Sequence, residues 1–395
     1  MKKKILSFLI AICLIIPCAI TFVACKDNGS KMETWDGKVA SVSAAVNNVI
    51  VIDTAEELAG FAKSVNEGTS YAGKTVKLAR DMDMKNISWT PIGIGNRSDI
   101  TKANMFDGIF DGNDKKIINL NNGLYTPADA NKKRENDFTD EVYTYSYGFF
   151  GMTFNATIKN LTLVVDFHCN AETLKGDSVG GLVGFAQGGL TIQDCTVKGR
   201  IDGGYDAVGG LVGRAYSSTA QKGVLIEDCE NKANVKAMFK AAGILGYTNS
   251  NTLNVTINDC ENEGTIEVTG LKQGNSFVSS VAGIVNYGWS NATSDNIIIV
   301  TNNDNEGVIK SCAQISTEEG VTNYHGYAYI ARSTSNAFNG QHHVYDFRGN
   351  ENSAKLYYKG AEATGITRAL CATINQSYPE YKLVDDFNGK TNRAQ

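Results

Sequence analysis

The chain has 395 residues, of which 37 are basic and 42 acidic, for a net charge of −5. That mildly acidic balance argues against nucleic acid or an anionic membrane surface as a partner. Forty glycines against four prolines suit a chain of many tight turns, and the apolar content excludes a disordered one.

Residues 1–24 read as a leader. Lys2, Lys3 and Lys4 precede a long apolar run from Ile5 to Val23, and Phe22-Val23-Ala24-Cys25 resembles a bacterial lipobox. That resemblance implies a lipoprotein signal peptide and a lipidated Cys25 that ties the mature chain to the membrane from outside the cytoplasm, since two acyl chains suffice for anchoring. The rival reading is an uncleaved anchor, because about twenty apolar residues can span a bilayer. Residues 25–46 are small and polar and are expected to form a flexible tether.

Residues 47–116 read as an N-terminal cap and the first coils. Val49 to Ile52 has strand character. Thr54-Ala55-Glu56-Glu57 then has the spacing of a capping box and opens a helix over 54–66, with Leu58, Phe61, Ala62 and Val65 on one face. This helix is expected to cover the open edge of the ladder, which would otherwise recruit other chains.

From 117 to 350 one pattern recurs. Ile158-x-Asn160-Leu161-x-Leu163 returns as Ile192-x-Asp194-Cys195-x-Val197, Ile226-x-Asp228-Cys229-x-Asn231, Ile257-x-Asp259-Cys260-x-Asn262 and Val300-x-Asn302-Asn303-x-Asn305. Ile117 to Leu124 is a degenerate first copy. Apolar residues alternate with period two and change phase at the Asp or Asn, so each copy reads as strand, corner, strand. Repeats at steps of roughly 31 to 43 residues cannot bury their own apolar faces and must stack. The expected fold is all-β, a parallel β-helix or solenoid. A charged insert at 125–142 is expected to project between coils, and Tyr143, Tyr145 and Tyr147 follow it at strand spacing.

A second repeat is offset from the first: Val179-Gly180-Gly181-Leu182-Val183-Gly184 recurs at Val208 to Gly213, Ala241 to Gly246 and Val281 to Asn286. These copies resemble the GLUG motif of bacterial cell-surface proteins. The resemblance implies a right-handed β-helix at the cell surface and no assigned chemistry. Gly326 to Tyr329 echoes this motif, and Val344 to Phe347 starts a last coil. Residues 351–395 read as a C-terminal cap and tail, with a short closing helix carrying Ile366, Leu370 and Ile374.

Stacking places like residues in files. Leu161, Cys195, Cys229, Cys260 and Asn303 are expected to form one inward file, its cysteines small buried hydrophobes; disulfides are possible on distance alone, but adjacent in-register strands aim cysteines poorly for them. Asn231, Asn262 and Asn305 form another. Asn160, Asp194, Asp228, Asp259 and Asn302 mark the corner. At about 4.8 Å two aspartates repel by about 1 kcal/mol in water and about 3.5 kcal/mol at an effective dielectric of 20. Turn N–H groups, solvent or a weakly held calcium ion could offset that; no cofactor is expected otherwise.

No metalloprotease, P-loop, serine-elbow or dinucleotide motif is present. The expected function is a non-catalytic, monomeric adhesion, ligand-binding or structural module that meets a glycan or an envelope or host protein. The alternative is a polysaccharide lyase or hydrolase acting on acidic glycans, for which Arg200, Arg214, Asp202 and Asp206 are the nearest cluster.

Overall fold

Successive copies of the repeat pair in parallel, position for position. The computed structural model describes residues 32–96, 99–121, 146–168, 178–204, 206–216, 222–249, 254–273, 276–288, 296–311, 322–333, 343–358, 360–362 and 388–390. The leader with Cys25, the insert at 125–142 with Tyr143 and Tyr145, and the expected closing helix with Ile366, Leu370 and Ile374 lie outside these residues.

Val183–Asp202 runs alongside Phe150–His168, with Ile192 opposite Ile158 and Ile201 opposite Phe167. The next copy breaks into Val212–Tyr216, Val224–Glu227 and Glu230–Ala237, each parallel to its counterpart. Leu245–Asn249, Val255–Asn258, Glu261–Asn262 and Ile266–Val268 follow, and then Val285–Gly288, Asn296–Thr301, Asp304–Asn305 and Ile309–Ser311. A second sheet holds Ser146–Tyr147, Ser178–Gly180, Ala207–Gly209, Lys240–Ala242, Ser276–Ala282 and Thr322–Ala328, also in parallel order. The described chain is therefore all-β with long parallel sheets, apart from one helix.

The core follows from the alternation. Ile158, Ile192, Ile226, Ile257 and Val300 are fully buried in one file. Each turns its next residue outward, as the period of a strand requires.

The phase change at the corner has a backbone cause. Asn119, Asn160, Asp194, Asp228, Asp259 and Asn302 all adopt positive φ, between 50° and 57°. Asn and Asp enter this left-handed region at the lowest cost after glycine. One such residue per copy bends the strand and moves the following apolar residue to the inner face.

Past the corner the interior turns polar. Asn231 Nδ2 donates to Asn262 Oδ1 at 2.8 Å, Asn262 Nδ2 to Asn305 Oδ1 at 2.8 Å, and Asn305 Nδ2 to Asn352 Oδ1 at 2.9 Å. The second amide hydrogen is used as well: Asn231 donates to the Ala233 carbonyl and Asn262 to the Gly264 carbonyl. Asn231, Asn262 and Asn305 have no exposed surface. A primary amide is a donor and an acceptor at once, so identical copies can chain indefinitely along the stack.

The offset glycine motif serves this ladder. A Cβ on Gly243 would lie 2.5 Å from Asn262 Cγ, and Gly283 faces Asn305 at the same distance. The glycine is bare so that the amide on the facing wall has room. Where Val197 takes the ladder position, Gly181 faces its side chain instead.

Some details add to the sequence reading. Near the start of the described residues, Glu33–Thr34 pairs with Met82–Asp83, and Trp35 is buried edge-on to Trp89 at 6.1 Å, while most of residues 36–46 are exposed. The reason is one large aromatic among small polar residues, which buries more apolar area than its neighbours expose. Val49–Ile52 pairs in parallel with Thr75–Leu78. At the other end the coil expected from Val344 belongs to a further copy, Ala331–Ser333, His343–Asp346, Glu351–Asn352 and Leu356–Tyr358. Its corner is Gly349, at φ 73°, so the Asp/Asn signature did not reveal it.

The helix runs Ala55–Asn66, with Glu57 N–H donating to Thr54 Oγ1 at 3.1 Å and Glu57 Oε2 accepting from Asp53 N–H at 2.8 Å. Phe61 enters an aromatic cluster with Tyr71, Phe106 and Phe110.

Replacing Asn262 by Leu strands a donor on Asn231 and an acceptor on Asn305, and is expected to cost about 3 kcal/mol in urea unfolding. Asn262→Asp keeps the acceptor for Asn231 but buries a carboxyl that must stay protonated. Its folded pKa lies above the unfolded one, so its deficit relative to the parent should be smallest in acid and grow as pH rises towards 7. Gly243→Ala, which has no room for its methyl, should cost roughly 3 kcal/mol.

Candidate ligand-binding face

The expected inward file is in register. Leu161 stands opposite Cys195. Paired residues on both sides of the corner bracket Cys195 with Cys229, Cys229 with Cys260, and Cys260 with Asn303. All five are about 1% exposed. The three cysteines are free, and each Sγ donates to the carbonyl two residues back: Gln193 at 3.2 Å, Glu227 at 3.0 Å and Asn258 at 3.3 Å. Burial pushes the Cys195 and Cys260 thiols well up. Cys260 N–H donates to Asn303 Oδ1, and Asn303 Nδ2 to Asn350 Oδ1, both at 3.0 Å, so the file ends in a second amide ladder.

The corner file lies at the surface. Asn160 donates to Asp111 at 3.0 Å and Asn302 to Asn258 at 2.9 Å. Desolvation and the neighbouring charges of Asp194 and Asp259 raise the Asp228 carboxyl above its ordinary range. Among the described residues no group of three or more His, Cys, Asp or Glu is arranged to hold a metal ion.

A second acidic file runs beside it, unread in the sequence: Glu230, Glu261, Asp304 and Glu351 are successive partners. Desolvation, then Glu263, Glu306 and Glu230, push Glu261 up. Lys232 bridges Glu230 at 3.3 Å and Glu263 at 2.7 Å. Register alone creates this file, since the four residues are 31 to 47 positions apart.

The four residues considered as an acidic-glycan cluster do not converge. Arg200 pairs with Asp166 at 3.2 Å and reaches His168, which itself meets Asp166 at 2.8 Å. Asp202 stands opposite His168 in the register. The separation arises because Arg200 and Asp202 belong to the long strand Val183–Asp202, whereas Asp206 and Arg214 lie beyond the turn, at either side of the glycine motif.

Asp206 and Arg214 do meet, and Lys240 joins them. Arg214 Nη2 donates to Asp206 Oδ2, and Lys240 Nζ to Asp206 Oδ1 at 2.7 Å. Both cations sit over the Tyr247 ring, Arg214 at 4.8 Å and Lys240 at 4.6 Å, and Lys240 also lies 3.6 Å from the Phe239 ring. The three charged side chains are only 10–15% exposed. Two cations thus reach one carboxylate on an aromatic floor. Arg214 Nε is buried and has no hydrogen-bond partner among the described residues. Cation–π contact and partial burial hold these groups in place, a setting suited to an incoming oxyanion. Lys240 escaped sequence reasoning because it precedes the third glycine motif by chain position but reaches Asp206 only through pairing with Ala207.

The chain carries the GLUG motif: a family description of it matches residues 176–202. That span holds Ser178–Gly180, the first full glycine motif and the strand to Asp202. Among solved structures, the chain is similar to one from Bacteroides ovatus described as a "putative immunoglobulin A1 protease". It shares 16% identity, with a TM-score of 0.44, over 82% of this chain and 81% of that one. No curated protein matches the chain. No helix among the described residues is long and apolar enough to cross a membrane.

The corner charges give a pH-dependent outcome. Because the folded-state pKa of Asp228 is raised, its ionised form opposes the fold at neutral pH, and the relief appears only in acid. Asn already occupies this corner at 160 and 302 with the same φ. Asp228→Asn should therefore stabilise the chain by roughly 0.5 kcal/mol at pH 7, after solvent screening, with the gain gone near pH 3. Denaturant midpoints at the two pH values check this.

Proposed function

We propose that the chain is a right-handed parallel β-helix displayed outside the cytoplasm of a bacterium, anchored through a lipidated Cys25, and that it binds acidic glycans without cleaving them. The stacked parallel copies and the GLUG motif support the architecture. The lipobox-like stretch supports the anchor. One observation carries the ligand class: Arg214 and Lys240 meet at Asp206 over the Tyr247 ring, two cations held in a largely buried, pre-ordered setting. A carboxylate or sulfate on a sugar would meet donors already positioned, which lowers the ordering cost of binding.

Polysaccharide cleavage is the alternative reading, favoured only by the presence of Asp166 and His168 beside Arg200, a base and a cation on one face. The same assay separates the two.

The purified chain, applied to immobilised acidic and neutral polysaccharides, should retain uronic-acid polymers and release no unsaturated or reducing ends. Arg214→Gln should weaken retention at least about tenfold, the loss of one charge-assisted contact. Retention unchanged in that variant, or no preference for acidic polymers, overturns the assignment. Turnover lost in a His168→Ala variant would replace it with the enzymatic one.

A further inference from the structure

The closing copies of the repeat depart from their predecessors in one column. Gly184, Gly213 and Gly246 occupy it in turn, each directly after the in-register residues Val183, Val212 and Leu245. Asn286 and Arg332, paired with each other, hold the same place in the last two copies.

Asn286 is buried and fully engaged. Its Nδ2 donates to the Ala241 carbonyl at 2.7 Å, and its Oδ1 accepts from Ser280 Oγ at 2.8 Å. Arg332 is equally enclosed, at 7% exposure, but its Nε and Nη1 are sealed from solvent and donate to nothing among the described residues. Its room comes from Gly326, which stands opposite Ser280 and whose missing Cβ would collide with the guanidinium. A satisfied Ser–Asn pair in one copy has become a Gly–Arg pair in the next.

That exchange is costly as it stands. Burial pushes the Arg332 guanidinium down to about 10, so it is a cation at neutral pH, and a buried cation without a carboxylate partner among the described residues is costly. Neither packing nor backbone geometry requires an arginine here, since asparagine fills the equivalent place one copy earlier. We propose that Gly326 and Arg332 form an oxyanion-binding site at the C-terminal end of the stack, in which the planar guanidinium fork receives a carboxylate, sulfate or phosphate group. A guanidinium is the side chain best matched to such groups, with parallel N–H donors at their spacing. Arg214 differs, because Asp206 already occupies part of its fork. The two sites are independent, and the Arg332 site does not rest on the glycan reading.

The test is thermal unfolding of the full chain in sodium sulfate, phosphate or glucuronate, against sodium chloride at equal ionic strength. The comparison protein is the Gly326→Ser/Arg332→Asn double variant, which copies the Ser280–Asn286 pair and so keeps a solution the fold already uses. The parent should show a saturable rise in Tm of about 2 °C or more with at least one oxyanion, and the double variant should lack it. A response to glucuronate above that to the inorganic ions identifies a sugar carboxylate as the occupant; the reverse identifies a free anion. Equal responses in parent and double variant overturn the site, because general salting effects act on both. So does the absence of any oxyanion-specific shift in the parent. Should the double variant not fold, Arg332→Gln takes its place under the same criteria.

Discussion

Everything in this chain depends on a condition that stacking imposes on its interior: a residue must be compatible with copies of itself about 4.8 Å above and below. Apolar residues meet it without cost, and Ile158, Ile192, Ile226, Ile257 and Val300 do so. Asparagine meets it by being donor and acceptor together, which is why Asn231, Asn262, Asn305 and Asn352 chain through their side chains. Cysteine meets it as a small thiol that discharges its proton onto its own strand, at Gln193, Glu227 and Asn258. Acidic residues meet it poorly. None stands in the inward files named above, and at the surface Asp228 and Glu261 are pushed towards the neutral form.

The glycine motif is the second half of the same condition. An amide ladder inside a narrow coil leaves no room for a side chain on the facing wall, and Gly243 and Gly283 face Asn262 and Asn305. The corner aspartates, the asparagine ladder and the offset glycines are thus three parts of one cross-section, spread over some twenty residues of sequence on either side. Loss of any one strands a polar group or creates a clash that is repeated in no other part of the chain to share it.

The proposed ligand contacts lie where the cross-section is broken. Arg214 and Lys240 replace residues that elsewhere are apolar or small: Phe185 and Ala207 stand in register with them. Arg332 replaces a glycine. In the proposed reading, an acidic ligand gains there from cations already held in position.

Much of this was legible along the chain. Period-two alternation with a phase change at Asp or Asn gave the strand–corner–strand reading, and the helix over Ala55–Asn66 was visible from Thr54 and Glu57. The packed Trp35, the glycine corner at 349 and the acidic file through Glu230, Glu261, Asp304 and Glu351 were not. Each depends on what stands opposite in another copy. Sequence by itself determined the repeat, its inward and outward faces and the cysteine, asparagine and corner files, because these follow from local periodicity and side-chain chemistry. Only the tertiary structure decided which charges meet, sending Arg200 to Asp166 and His168 and bringing Lys240 to Asp206. The physical reason is that insertions between copies change the spacing in the chain without changing the ladder. Neighbours across it are therefore set by hydrogen-bond register, not by distance along the sequence.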